Sequence, residues 1–262
     1  MMNNYKKIAF VVLSCDAYSD LWDSYGQLFN RFWPNCPFDC YMASHHLEYN
    51  KHGFKPILLG EDISWSHGLI ALIDILKTKG YDYAMIAFDD LLLCENVDNN
   101  LVLAATDLFL NENGDCLRFV TEKASRTYKY NDLYGKMGLK VPYRVTLGFA
   151  IWNIDVLKKI TVDGESAWQF EKNATERSFA FDKFYCTKKS PFKFLNLVIK
   201  RKIDIKEYAK LKRILPDATF EREQTHVKKE KFKNIFLNAL LKYCPIKCQY
   251  SIYKFFTKPI NL

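Results

Sequence analysis

The first 110 residues alternate between apolar runs and segments whose apolar residues follow helical spacing. The run at 8–16 ends in small and polar side chains, as buried parallel strands often do. The predicted strands cover residues 8–16, 38–44, 56–60 and 81–90. The predicted helices cover residues 17–32, 66–79 and 97–110. This alternation predicts an α/β fold with a mostly parallel, doubly wound sheet and helices on both faces.

The remainder of the chain is less regular. Its predicted elements are strands at 117–120, 143–152 and 194–199, a helix that begins at Asp155, and helices at 204–214 and 230–243. We therefore expect a main domain over residues 1–200, with halves at 1–110 and 111–200. A basic helical tail is expected over residues 201–262.

Charge is distributed unevenly along the chain. Residues 1–182 contain 18 Lys or Arg and 24 Asp or Glu, whereas residues 183–262 contain 20 and 6. A basic segment on an acidic body indicates an anionic partner, such as a membrane surface, a lipid-linked phosphate or nucleic acid. Over 229–256, Lys alternates with Phe, Ile, Leu and Tyr, which predicts a basic amphipathic helix. Such a helix lies on an anionic membrane, or it packs on the domain with its lysines in solvent.

Composition and missing motifs exclude several classes of protein. Hydrophobic residues make up 49% of the chain and charged residues 26%, which favours a globular core over disorder. No glycine-rich phosphate loop and no G-x-S-x-G is present, which argues against Rossmann dehydrogenases, P-loop enzymes and α/β-hydrolases. The eight cysteines follow no signal peptide, so we expect a reduced, cytoplasmic protein. Cys36/Cys40 and Cys244/Cys248 have C-x-x-x-C spacing, unlike most zinc sites.

Two adjacent carboxylates, Asp89 and Asp90, close the apolar run at 81–88. Their repulsion at the end of a buried strand is costly unless a positive group neutralises them. A divalent cation that also binds a diphosphate is a natural partner, because hard cations take carboxylate and phosphate oxygens together. The alternative is a turn or helix-capping role for these carboxylates.

Several segments of the chain resemble GT-A-type glycosyltransferases, in particular the bacterial enzymes that build capsule, O-antigen or lipooligosaccharide. The segments are VVLSCDAYSDLW (11–22), ISWSHGL (63–69), YAMIAFDDLLL (83–93), TLGFAIWNIDVL (146–157) and GESAWQFE (164–171). The resemblance implies a nucleotide-sugar-binding half over 1–110 and an acceptor half over 111–200. The acidic motif of these enzymes is usually Asp-x-Asp, but Phe88 stands at its first position here. Two alternatives therefore remain: Asp89 and Asp90 hold Mg²⁺ or Mn²⁺, or the site is metal-independent and uses basic side chains.

The resemblance also implies that the loop after the first strand binds the nucleoside. The donor-binding candidates in this loop are Ser14, Asp16, Tyr18 and Asp20. Carboxylates can accept from ribose hydroxyls or base N–H groups, and a tyrosine can stack on a base. The alternative for both aspartates is capping of the following helix.

Trp65 is a further donor-site candidate. It forms a wall of the donor pocket, or it only packs at the start of a helix for which Ser66 is the expected N-cap.

GESAWQFE (164–171) supplies the candidates for the acceptor side. An inverting transferase needs a carboxylate that removes the proton from the acceptor hydroxyl, and we expect Glu171 to be this base. Trp168 offers an apolar face for a sugar ring, and Glu165 is a second acceptor-binding candidate. The alternative is a capping box with both glutamates in solvent, and Asp182 is the reserve candidate for the base.

These observations predict an inverting glycosyltransferase at the inner face of the cytoplasmic membrane. The expected donor is a nucleotide diphosphate sugar, and the expected acceptor is a glycan or a lipid-linked molecule of surface polysaccharide synthesis. One alternative is a nucleotidyltransferase that acts on sugar phosphates. Its usual glycine-rich basic loop is absent here, because Cys15-Asp16-Ala17 follows the first strand. The other alternative is a nucleic-acid-binding protein that uses the basic tail.

Overall fold

The computed structural model describes residues 5–119 and 131–226, the backbone of 127–129, and the isolated positions 248 and 251. The helix expected over 230–243, and with it the amphipathic face of the tail, lies outside the described residues. In the described part of the chain, no helix is long and apolar enough to cross a membrane.

The strands and helices begin and end as follows. The strands are β1 Ile8–Leu13, β2 Asp39–Ser44, β3 Lys55–Leu58, β4 Tyr83–Phe88, β5 Leu91–Leu93, β6 Cys116–Arg118, β7 Thr127–Lys129, β8 Tyr134–Met137, β9 Ala150–Asn153, β10 Phe184–Thr187, β11 Phe194–Asn196, β12 Val198–Ile199, β13 Lys202–Asp204 and β14 Gln224–Thr225. The helices are α1 Ser19–Phe32, α2 Trp65–Thr78, α3 Asn99–Asn111, α4 Ile154–Ile160, α5 Ala167–Arg177 and α6 Ile205–Ile214.

A large mixed sheet forms the centre of the fold, with the strand order β3-β2-β1-β4-β9-β6-β10-β8-β7. β1 to β4 run parallel to one another, and β6 and β10 form a further parallel pair. β9 runs antiparallel between β4 and β6. The expected α/β sheet of mostly parallel strands is therefore confirmed, and the antiparallel β9 makes it mixed.

Side chains of the sheet alternate between two apolar clusters, one on each face. Phe10 and Val12 of β1 lie in the cluster to which α1, α3 and α6 contribute. Val11 and Leu13 lie in the cluster formed with α2, α4 and α5. Because successive side chains of a strand point to opposite faces, a strand covered on both sides is apolar throughout, as β1 is.

The expected strand over 143–152 is mostly wrong. Only its end belongs to β9, because Tyr143 and Phe149 have φ values of 51° and 49°. Non-glycine residues in this left-handed region interrupt extended backbone. Residues 143–149 instead form a loop that runs towards the ends of β4 and β5.

The chain beyond residue 200 continues the packing of the domain. Ile203, Leu211 and Ala218 are buried in the same cluster as Phe10. The expected helix at 204–214 is present as α6, and β13 pairs with β12 and β14. The division of the chain at residue 200 therefore does not coincide with a break in this cluster.

Candidate functional site

The carboxyl ends of β1 and β4 meet at the centre of the sheet. Their register pairs Leu13 with Phe88, so the next residues along each strand, Ser14 and Asp89, lie side by side. From β1 the chain proceeds to β2 on one side, while β4 lies on the other. Open α/β sheets bind their ligands at such a point, where the strand order reverses.

The partly buried Ser14 forms hydrogen bonds with two buried residues, Asp89 and Trp22, at this point. The Ser14 hydroxyl donates a short hydrogen bond to the Asp89 carboxylate and accepts one of 2.7 Å from the Trp22 indole Nε1. Asp89 is only 6% exposed. Burial, together with the charge of Asp90, raises the pKa of Asp89 to about 8, against the opposing effect of the Ser14 hydrogen bond. This carboxyl therefore sits where its ionised form is costly unless a cation approaches.

Asp90 follows Asp89 in the chain and is less buried. Burial raises its pKa to about 6. Its backbone carbonyl accepts from the Leu197 N–H at 2.9 Å, between β11 and β12. The contact holds the acidic turn against the domain. The strand expected over 194–199 is instead two short strands, because β11 pairs with β5 and β12 pairs with β13.

Asp16 joins the loop after β1 to the loop after β2. Its carboxylate accepts hydrogen bonds of 3.1–3.2 Å from the backbone N–H groups of His45, His46 and Leu47, and it contacts the His46 ring. Burial alone raises the pKa of Asp16, but these hydrogen bonds outweigh it and leave the pKa below its ordinary value. The carboxylate thus holds two loops of the candidate nucleotide site together.

Tyr18 and Asp20 share a partner that the sequence did not indicate. The Arg222 guanidinium donates to both oxygens of Asp20 at 2.5 and 2.7 Å and to the Ala17 carbonyl at 2.8 Å. Its centre also lies 4.3 Å from the centroid of the Tyr18 ring. No local motif marks Arg222, which stands about 200 residues away in sequence, so only the fold brings it to this loop.

The amino end of α2 docks against the segment that precedes α5. Ser64, and not Ser66 as expected, is the N-cap, and it accepts from the His67 N–H at 3.0 Å. Ser66 instead accepts from the Glu165 N–H at 2.8 Å. Trp65 is half-buried, with its ring centroid 5.3 Å from that of Phe170. This docking places residues 164–171 beside the first half of the domain.

The two glutamates of the 164–171 segment have different surroundings. Glu165 is paired with Arg177 through two hydrogen bonds of 2.6 and 3.0 Å, and Asn173 donates a third. Glu171 accepts from the Thr146 hydroxyl at 3.0 Å. A salt-bridged carboxylate such as Glu165 is a weak base, since its partners stabilise the ionised form. The pKa of Glu165 is accordingly below its ordinary value, although burial alone would raise it.

Thr146 connects Glu171 to the acidic turn. It lies two residues before Gly148, where a Cβ would come within 3.4 Å of the Leu91 side chain and 4.0 Å of Phe88. The loop that orients Glu171 thus packs directly on the residues that flank the two aspartates.

Trp168 is exposed over 83% of its surface, on the solvent side of α5. Its ring is available to a ligand from solution, as a sugar-binding role requires. A capping box, the alternative interpretation of this segment, is present beside it and is formed by Ser166 and Gln169, although Glu165 and Glu171 both have protein partners. The reserve candidate, Asp182, is exposed and paired with Lys136.

A metal would have to be held by few protein groups. Among the described residues, no cluster of three or more His, Cys, Asp or Glu is arranged to bind one. Mg²⁺ bound to a nucleotide is usually held by one or two carboxylates together with phosphate oxygens. Asp89 and Asp90, two adjacent carboxylates with raised pKa values, fit that arrangement.

A separate open cavity of about 310 Å³ lies at the opposite edge of the sheet, at the amino end of β4. Its lining includes Lys77, Asp82 and Asp155. Ligands of doubly wound sheets bind at the carboxyl ends of the strands, so this cavity does not belong to the candidate site.

No protein-family model matches the sequence, and no curated protein matches it. Solved structures do resemble the fold. A UDP-glucose pyrophosphorylase complexed with UDP-glucose is 8% identical, and the match covers 81% of this chain and 100% of that chain with a TM-score of 0.51. A UTP-bound UGPase from Acinetobacter baumannii is 6% identical, and the match covers 80% of this chain and 95% of that chain with a TM-score of 0.49. A197 from STIV is 14% identical, and the match covers 85% of this chain and 98% of that chain with a TM-score of 0.41.

At these identities the similarity concerns the fold alone. Of the three, only the complex with UDP-glucose has a TM-score above 0.5. The chain therefore shares the fold of an enzyme whose structure contains a nucleotide sugar.

Proposed function

We propose that the chain is a transferase acting on a nucleotide diphosphate sugar, which binds beyond the carboxyl ends of β1 and β4. The observation that carries the proposal is the buried Asp89 hydrogen-bonded to Ser14 at the reversal of strand order, with Asp90 beside it. Two carboxyls with raised pKa values at a ligand-binding edge are typical of a functional site. The fold shared with a UDP-glucose-bound enzyme makes a uridine nucleotide the first ligand to test.

Asp89 and Asp90 would hold Mg²⁺ or Mn²⁺ together with the diphosphate. When bound, the cation neutralises phosphate charge that develops during transfer. The loop of Asp16, Tyr18 and Asp20 would face the nucleoside, and Trp65 would close the pocket from the side of α2.

The comparison favours nucleotidyl transfer to a sugar phosphate, the alternative in our sequence analysis, over sugar transfer. We keep sugar transfer as a second candidate because the loop after β1 lacks the sequence that is usual in nucleotidyltransferases. Nucleotidyl transfer begins from a triphosphate, yet this loop carries Asp16 and Asp20 in place of a glycine-rich basic sequence. Arg222 is the cation paired with the loop, and Asp20 already neutralises it.

We expect UDP-glucose with Mg²⁺ or Mn²⁺ to stabilise the protein, and Asp90→Asn to abolish this effect. A ligand at 100 times its dissociation constant stabilises by about 2.7 kcal/mol, which thermal unfolding detects. Asp82→Asn is the matched control, because Asp82 precedes the same strand at its opposite end and is exposed. Equal ligand-induced shifts in both variants would refute the site. If UDP-glucose raises the melting temperature equally without a metal ion, the proposed site stands but the proposed cation does not.

Product analysis in the same samples separates the two reactions. Nucleotidyl transfer converts UTP and glucose 1-phosphate to UDP-glucose and pyrophosphate. Sugar transfer releases UDP from UDP-glucose, slowly when water is the acceptor.

We also propose that the basic tail binds the enzyme to an anionic membrane surface. If it brings the enzyme to a lipid-linked acceptor of capsule, O-antigen or lipopolysaccharide synthesis, deleting residues 230–262 should abolish sedimentation with anionic vesicles. The reason is electrostatic, since each Lys or Arg near an anionic surface contributes about 1 kcal/mol. Vesicles of neutral lipid are the control. Equal binding by the intact and the folded, truncated protein would contradict this role.

A further inference from the structure

Residues 215–226, which we call the strap, run from the end of α6 across the outside of the loop after β1. The strap is anchored at several points. Tyr208 of α6 packs edge-on against Phe220 at 5.9 Å, and Ala218 is buried in the core cluster. Beyond them, β14 pairs with β13, and the Glu223 carbonyl accepts from the Ile203 N–H at 2.9 Å. The backbone on either side of Arg222 is thus fixed to the domain.

Arg222 spans the whole loop from this fixed backbone. Its guanidinium contacts the Ala17 carbonyl, both Asp20 oxygens and one face of the Tyr18 ring. The Arg222 side chain is only 11% exposed, whereas that of Asp20 is 35% exposed, so the guanidinium is largely buried against the loop and the carboxylate still faces solvent. A planar guanidinium can make two parallel hydrogen bonds to a carboxylate and stack on an aromatic ring at once, which an ammonium group cannot.

We infer that Arg222 is a positioning residue, and that through it the strap holds residues 16–20 in the conformation that receives the nucleotide. The inference rests on the proposed function for its ligand, but the contact between strap and loop is independent of any ligand. It also gives Asp20 a role distinct from direct nucleotide binding, because both of its oxygens are already bonded to Arg222.

Arg222→Gln should speed hydrogen exchange of residues 16–20 in the ligand-free protein by about tenfold, since it removes the local contacts that oppose opening. It should also weaken UDP binding by about tenfold, because the loop must then be ordered on binding. The control is Arg31→Gln, which changes charge equally. Arg31 donates to the Ile214 carbonyl at 2.8 Å and so ties α1 to the end of α6, immediately before the strap, rather than to residues 16–20.

Two further variants separate positioning from simple loss of stability. Arg222→Lys keeps the positive charge but loses the planar guanidinium that donates two hydrogen bonds to Asp20. Its affinity for UDP should therefore lie between those of the wild type and Arg222→Gln. Asp20→Asn combined with Arg222→Gln should be no worse than Arg222→Gln alone, since the change at Arg222 already removes the interaction with Asp20. Across these variants the affinity for UDP should correlate with the hydrogen-exchange rate of residues 16–20 and not with the melting temperature of the protein.

Equal exchange of residues 16–20 in Arg222→Gln and Arg31→Gln would overturn the inference. So would additive losses in the double variant, which would mean that Asp20 binds the nucleotide directly. A wild-type protein that binds none of UDP, UTP and UDP-glucose would defeat the proposed function, and the exchange measurement would still decide whether the strap holds the loop.

Discussion

Glu171→Gln should lower the rate of sugar transfer by about 10²- to 10⁴-fold and leave the affinity for the nucleotide sugar nearly unchanged. Glutamine keeps the shape of the side chain and can still accept from the Thr146 hydroxyl, but it cannot take the proton of an acceptor hydroxyl. The effect is expected in turnover because the proton moves only as the new bond forms. Steady-state kinetics with UDP-glucose and an acceptor would measure it.

Glu165→Gln is the matched control, six residues earlier in the same segment. Because Glu165 is salt-bridged to Arg177, this change should lower the melting temperature and spare turnover. Trp168→Ala should instead weaken acceptor binding, since the exposed ring offers its stacking surface in ground and transition states alike. Near-normal turnover of Glu171→Gln, or a product with the anomeric configuration of the donor, would contradict the assignment and favour retention or nucleotidyl transfer.

The sequence predicted the centre of the site because strand ends can be recognised locally. Two apolar runs that end at Leu13 and Phe88 are buried on both faces, and parallel pairing then places Ser14 beside Asp89. The hydrophobic pattern and the rule that ligands bind at the carboxyl ends of parallel strands were enough to mark these two strand ends. The pairing of β1 with β4, and with it the contact between Ser14 and Asp89, was not predicted and comes from the structure.

The partners of the charged residues could not be predicted in this way. Arg222 meets Asp20 only because the chain after α6 returns to α1, and nothing in the local sequence encodes that path. The capping assignment at α2 was wrong for a related reason. Ser64 and Ser66 are both suitable caps, and the Glu165 N–H engages the second of them from 99 residues away. Short strands such as β8 and β10 carry too few residues to show a period of two.

Asp89→Asn should stabilise the ligand-free protein at pH 8, by about 2 kcal/mol or more. The pKa of Asp89 is about 8 in the folded protein, well above that of an aspartate in an unfolded chain. Between pH 4 and pH 8 the folded state therefore retains a proton that the unfolded state has lost, so stability falls as pH rises through this window. Asparagine is neutral throughout and can still accept the hydrogen bond from Ser14.

Thermal unfolding at pH 4, 6 and 8 would test the sign as well as the size of this effect. The difference between Asp89→Asn and wild type should be smallest at pH 4 and grow towards pH 8, whereas exposed Asp82→Asn should show no such trend. A pH-independent difference would mean that Asp89 is ionised in the folded protein, with a counter-charge closer than Arg222. A carboxyl that destabilises its own fold is expected at a functional site, because a protein gains nothing structurally from burying it. The nucleotide and its cation would recover this cost on binding, since they stabilise the ionised carboxylate that the free protein disfavours.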